Sequence, residues 1–115
     1  MEKKAQIRYD SEEDILTLRK VNAVKDSINI VNINLDFDSE RRIVGIEIMG
    51  AIGFFEAFEL SKEDFEHIKD AKISVNYSKD WAIIKITLYM PKKSEPIVKD
   101  FTIPSLIEQQ SLASA

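Results

Sequence analysis

Seven carboxylates fall into two short stretches. Tyr9-Asp10-Ser11-Glu12-Glu13-Asp14 carries Asp10, Glu12, Glu13 and Asp14, and Asp36-Phe37-Asp38-Ser39-Glu40 carries Asp36, Asp38 and Glu40. Clustered oxygens of this kind are what a hard cation such as calcium takes as ligands. The known calcium-binding loop wants Gly at its sixth position and a closing Glu at its twelfth. Counted from Asp10, those positions hold Ile15 and Val21; counted from Asp36, they hold Arg41 and Glu47. The spacing fails both times, and Asp and Ser are also ordinary residues of solvated turns. Asp10, Asp14, Asp36 and Asp38 stand as candidate metal ligands without an assigned site.

Little else in the chain points to catalysis. There is no cysteine, which excludes disulfides, thiolate zinc sites and cysteine nucleophiles. His67 is the single histidine, and alone it is poor material for a metal site. Three glycines cannot build a phosphate loop, a dinucleotide fingerprint or a nucleophile elbow. No catalytic residue and no cofactor is expected.

The elements that would position these side chains are mostly strands. Ala5–Asp10 and Ile15–Lys20 alternate apolar and polar residues on either side of the acidic stretch, with Ile7, Tyr9, Leu16 and Leu18 available to one face. In Ser27–Asp38 the apolar phase changes from Ile28 and Ile30 to Val31, Ile33, Leu35 and Phe37, implying a bulge or burial on both faces. Ile43–Met49 follows in register. The spacing predicts a four-stranded antiparallel meander, whose first and third turns would bring the two acidic stretches together at one end.

The middle segment, Gly50–Ser61, holds Phe54, Phe55 and Phe58 and reads as a further strand or an irregular apolar crossing. A helix is predicted over 61–70, with Ser61 and Asp64 as its capping pair and Leu60 stapled to Phe65. Strands return in Ala71–Ser78, Trp81–Met90 and Pro96–Pro104. Ser105 and Glu108 offer a second cap for a short C-terminal helix. The fold class is therefore α+β, with antiparallel sheet from two related β-meander halves, about seven strands in all. The halves share a plan: strand, Tyr, polar turn with Asp, apolar strand. One domain spans 1–115, comprising an N-terminal β half (4–51), a crossing and helix (52–70), a C-terminal β half (71–104) and a tail (105–115).

With 115 residues, scaling predicts that about two-thirds of the unfolded surface can be buried, enough for a core without staples. A net charge of −4 with dispersed basic residues argues against nucleic acid as a partner. No apolar run approaches the roughly 20 residues that span a bilayer, and no signal peptide is visible, so a cytoplasmic protein without membrane association is expected. The Ile-, Lys- and Glu-rich composition is compatible with a thermophilic source.

Tyr9, Asp10, Asp14 and Leu16, followed by the acidic turn at Asp36 and Asp38 and the run Ile43-Val44-Gly45-Ile46-Glu47-Ile48 with Ala51, carry a resemblance. Over residues 6–51 the chain resembles the domain of unknown function family 2283. It departs where family members often carry Gly before the second motif, since Arg41 and Arg42 stand there. The resemblance implies a small α+β protein and no reaction. Some members look like partners of other small proteins.

Strand Trp81–Met90 has apolar residues on both faces, which calls for a second covering layer or a second subunit. The expected function is a non-enzymatic protein–protein interaction module, homodimeric, with another small protein as a further partner. Phe54, Phe55, Phe58, Trp81, Ile83 and Tyr89 are its interface candidates. The alternative is a metal- or small-ligand-binding domain using the turn carboxylates.

Overall fold

A computed structural model describes residues 3–20 and 23–104, with Lys3 and Lys4 described by their backbone alone. Among the described residues, nine strands form two antiparallel sheets. The first sheet contains β2 (Gln6–Asp10), β3 (Ile15–Arg19), β4 (Asp26–Ile30), β5 (Ile33–Phe37) and β6 (Ile43–Met49). The second contains β1 (Lys3–Lys4), β7 (Asp70–Tyr77), β8 (Trp81–Tyr89) and β9 (Ile97–Pro104). Between them run α1 (Ala51–Phe54), a 3-10 turn (Glu56–Phe58) and α2 (Lys62–Glu66). The α+β class with antiparallel sheets is as the sequence implies. The expected tail helix lies outside the described residues.

The first sheet is not a meander. Its order is β2-β3-β6-β5-β4, so the chain leaves β3, crosses to the far edge as β4, and returns inward through β5 and β6. The phase change at Val31 is neither bulge nor two-faced burial but a two-residue hairpin turn, because Ile30 pairs with Ile33. Val31 holds a positive φ of 55° and is 90% exposed. A β-branched residue is strongly disfavoured there, and turn chemistry normally places Gly or Asn. This turn raises the strand count above seven.

The second sheet runs β1-β7-β8-β9, with β7 paired to β8 from Asp70–Tyr89 to Tyr77–Ala82. The similarity of plan between halves stops at the third strand. β9 follows β8 in sequence and pairs with it, whereas the strand following β3 pairs elsewhere.

Alternation puts Leu16, Leu18, Leu35, Ile46 and Ile48 on the inner face of the first sheet and Ala71, Ile73, Ile84, Ile86 and Leu88 on that of the second. All ten belong to one core cluster with relative exposures of zero. The helical crossing joins the layers. Tyr9 stacks on Phe65 at 5.1 Å, Phe65 meets Phe55 at 5.7 Å, Phe55 meets Phe54 at 5.0 Å, and Phe54 meets Phe101 of β9 at 5.6 Å. Such pairs add roughly 0.5–1.5 kcal/mol each beyond their buried area. The segment that read as a strand or crossing is thus the aromatic mortar between the sheets.

The start of α2 follows its sequence signal. The Ser61 hydroxyl accepts from the Asp64 N–H at 3.2 Å, and the Asp64 carboxylate accepts from the Ser61 N–H at 2.9 Å. These reciprocal bonds satisfy two helix-end donors. The backbone donor of Ser61 holds the Asp64 carboxyl below its ordinary value, against the opposing effect of burial.

Candidate functional site

The acidic stretches lie at opposite ends of the first sheet. The 11–14 turn joins β2 to β3 at the end where Met49 pairs with Ile15, while the 38–42 turn joins β5 to β6 beyond the Gly45–Asp36 pair. About six residues of strand, roughly 20 Å, separate them. The cause is the extra hairpin turn at Val31 and Asn32, which splits the expected third strand into β4 and β5 and so reverses the end at which the 38–42 turn emerges. Asp10 and Asp14 are therefore not brought to Asp36 and Asp38. Among the described residues, no three His, Asp or Glu side chains are grouped as a metal ion would need.

Each candidate carboxylate is engaged by an internal donor. Asp10 Oδ1 accepts the Glu12 and Glu13 N–H groups at 3.0 and 3.1 Å. Asp38 Oδ1 accepts the Glu40 and Arg42 N–H groups, both at 2.9 Å, and its Oδ2 meets Arg42 Nε at 3.3 Å. Burial alone would raise the Asp38 carboxyl, but these donors and the Arg42 charge outweigh it and hold it below its ordinary value. The turn also places Arg41 at a φ of 65°, the left-handed conformation that favours glycine.

Asp14 works hardest. It takes a φ of 55°, and its backbone carbonyl accepts the Gly50 and Ala51 N–H groups at 2.9 and 3.1 Å. Its carboxylate accepts the Tyr9 hydroxyl at 2.6 Å and the Ile52 N–H at 3.2 and 3.3 Å. One residue thus ties the first hairpin to the start of α1. Burial, followed by the bond to Asp14, pushes the Tyr9 phenol well above its ordinary range.

Asp36 lies within β5, on the outer face of the first sheet, and is only 4% exposed. A buried carboxylate must be paired, and three side chains do so: Arg19 Nη2 at 3.1 Å, Ser27 Oγ at 2.7 Å and Asn34 Nδ2 at 3.2 Å. Gly45, directly opposite in β6, leaves the room this requires. A Cβ there would lie 2.8 Å from Asp36 Oδ2.

The tyrosine, four aspartates and glycine of the resemblance therefore each have a structural reason. The profile of a family described as a protein of unknown function, DUF2283, matches residues 6–51. The uncharacterised protein MJ0789 of Methanocaldococcus jannaschii is 31% identical over 106 residues, spanning 90% of this chain and 88% of that relative. This chain belongs to the DUF2283 family. No solved structure matches it. In this DUF2283 protein the family motif builds the first hairpin, its anchor on α1 and the Asp36–Gly45 contact.

The interface candidates divide sharply. Phe55 is fully buried, so its side chain presents no surface. Phe54 and Phe58 are partly buried and packed against the core. Trp81 and Ile83 are 56% and 40% exposed, and Tyr89 is half-buried beneath Lys72, whose Nζ sits 5.4 Å from the ring centre. Trp81, Ile83, Lys85, Thr87 and Tyr89 share the outer face of β8. Val98, 44% exposed, lies beside Thr87 on the same face. His67 is exposed at the end of α2, its Nδ1 lying 2.8 Å from the Glu63 carbonyl oxygen.

Reading the sequence did not single out the outer face of β2, β3 and β6. There, Gln6, Arg8, Asp10, Ile15, Thr17, Arg19 and Glu47 border a half-open cleft of about 540 Å³. The strand phases place these residues away from the core, but their assembly depends on β6 pairing with β3. Among the described residues, no helix is long and apolar enough to cross a membrane.

Proposed function

We propose that this protein is a non-enzymatic interaction module whose partner is a second copy of itself, held through the outer face of the C-terminal sheet. The observation that carries this reading is Trp81, exposed over 56% of its surface and flanked on the same strand by exposed Ile83. Covering the remaining Trp81 surface contributes about 3 kcal/mol at the usual value per unit area. The face suits a self-complementary contact. Apolar groups stand at both ends, Trp81 and Ile83 at one and Val98 at the other, with the cross-strand neighbours Lys85 and Asp100 between them. A two-fold apposition sets the lysine end of that row against the aspartate end of its copy, so unlike charges meet.

The test is sedimentation equilibrium from low micromolar to several hundred micromolar protein, for the native chain and for Trp81→Glu/Ile83→Lys. The expected result is a dimer that the double substitution converts to a monomer with unchanged circular dichroism. Trp81 is the single tryptophan, so its emission should also move to shorter wavelength as the native chain associates. A native chain that stays monomeric across the range sinks the reading.

A further inference from the structure

The cleft on the outer face of the N-terminal sheet presents two opposite charges that no side chain or backbone group among the described residues pairs with. Of its four charged lining residues, Arg19 is bonded to Asp36, and Asp10 accepts two backbone donors of its own turn. Arg8 and Glu47 differ: among the described residues, neither side chain has an ion-pair or hydrogen-bond partner. They stand in one cross-strand row, Arg8 opposite Thr17 and Thr17 opposite Glu47. Their strands are thus two spacings apart, roughly 10 Å, with the Thr17 hydroxyl between them.

The two side chains are not bonded to each other, and the cleft over Thr17 leaves space between them that a small molecule fills. The cleft's 540 Å³ lies within the usual range of small-molecule sites. With Arg19 paired to Asp36 and Asp10 held by its own turn, the cleft offers one positive and one negative side chain, Arg8 and Glu47, so a bare ion engages one and is repelled by the other. A bare anion gains Arg8 but meets Glu47 and Asp10, and a bare cation meets the reverse. We propose that this cleft binds a small zwitterion, an ammonium joined to a carboxylate or phosphate. The oxyanion meets the Arg8 guanidinium, the ammonium meets Glu47, and Thr17 donates to whichever oxygen lies above it. Guanidinium forks match carboxylate and phosphate oxygens alike. The site is on the sheet opposite the proposed dimer face, and it stands whether or not the chain dimerises.

The experiment is an amide chemical-shift titration of the full chain with glycine, γ-aminobutyrate, ε-aminocaproate and phosphoethanolamine. Acetate, inorganic phosphate and methylammonium serve as single-charge probes. At least one zwitterion is expected to shift the amides of Arg8, Thr17 and Glu47 saturably at millimolar concentration, with the single-charge probes at least about ten-fold weaker. The amino-carboxylate and phosphoethanolamine arms separate the two oxyanion sources. Arg8→Ala and Glu47→Gln, both outside the core, should each weaken binding by about ten-fold while leaving the other amide positions unmoved. The proposal is overturned if no zwitterion shifts these amides at ten-millimolar concentration, as it is if a single-charge probe binds equally well or both variants bind like the native chain.

Discussion

Replacing Asp14 by Ala tests whether one side chain couples the first hairpin to the helical crossing. The substitution removes the acceptor of the Tyr9 hydroxyl, bonded at 2.6 Å, and of the Ile52 N–H, at 3.2 and 3.3 Å. Hydrogen bonds to a charged acceptor contribute about 1.5–3 kcal/mol each when buried; both sites here are only partly buried, so about 1–1.5 kcal/mol each, about 2–3 kcal/mol in total, is lost. Alanine must also adopt Asp14's φ of 55°, which adds about 1 kcal/mol. The expected loss is therefore roughly 3–4 kcal/mol. At about 2.1 cal/mol/K per residue, unfolding entropy converts this to a fall of roughly 12–16 °C in Tm. Asp14→Asn keeps the tolerance for a left-handed conformation and should cost less, about 1–2 kcal/mol. A double-mutant cycle with Tyr9→Phe isolates the phenol–carboxylate bond, and a coupling of about 1–2 kcal/mol is expected. Urea unfolding of the four proteins gives all the terms. A total loss below about 1 kcal/mol, or a coupling indistinguishable from zero, would refute the assignment of Asp14 as the tie.

Gly45→Ala places a Cβ 2.8 Å from Asp36 Oδ2 and must push that carboxylate off Arg19, so a loss of about 2 kcal/mol is expected by urea unfolding; a neutral result would contradict the close approach. Burial raises the phenols of Tyr9 and Tyr77 above their ordinary value of 10.0. The unfolded chain therefore loses these protons first, and stability should be complete below about pH 10 and decline as pH rises above it. Tyr9→Phe should flatten that decline in alkaline thermal melts, and an unchanged slope would count against it. On the acid side Asp38 and Asp64 are held below 3.8, so their contribution should persist above the unfolded value and disappear only as pH falls through the lowered ones.

The legible parts of the fold were those fixed within a few residues. Ser61 and Asp64 announce α2 because a capping pair is made by neighbours three apart, whatever the remainder of the chain does. The β2–β3 and β7–β8 hairpins are equally local: alternation sets the inward face and the polar turn sets the pairing. The Val31 turn was hidden because a β-branched residue is wrong for its positive φ, and only pairing across β4 and β5 overrides that preference. The three phenylalanines of the crossing gave no sign of direction, since an apolar side chain fits an interface or a core equally well until the second sheet is in place.

What the sequence alone determined was the class of elements, the inward set of each strand, and which residues could accept or donate. The tertiary structure decided which of them meet. The hairpin at Val31 and Asn32 added a strand and so moved the two acidic turns to opposite ends of one sheet, and long-range pairing inserted β6 between β3 and β5. That insertion placed Gly45 beside Arg19 and Glu47 beside Thr17, giving the buried Asp36 its Arg19 partner and a charged cleft from residues up to 41 positions apart. Alternation has a period of two whichever strand lies alongside, so neighbours across a sheet are a property of the folded chain.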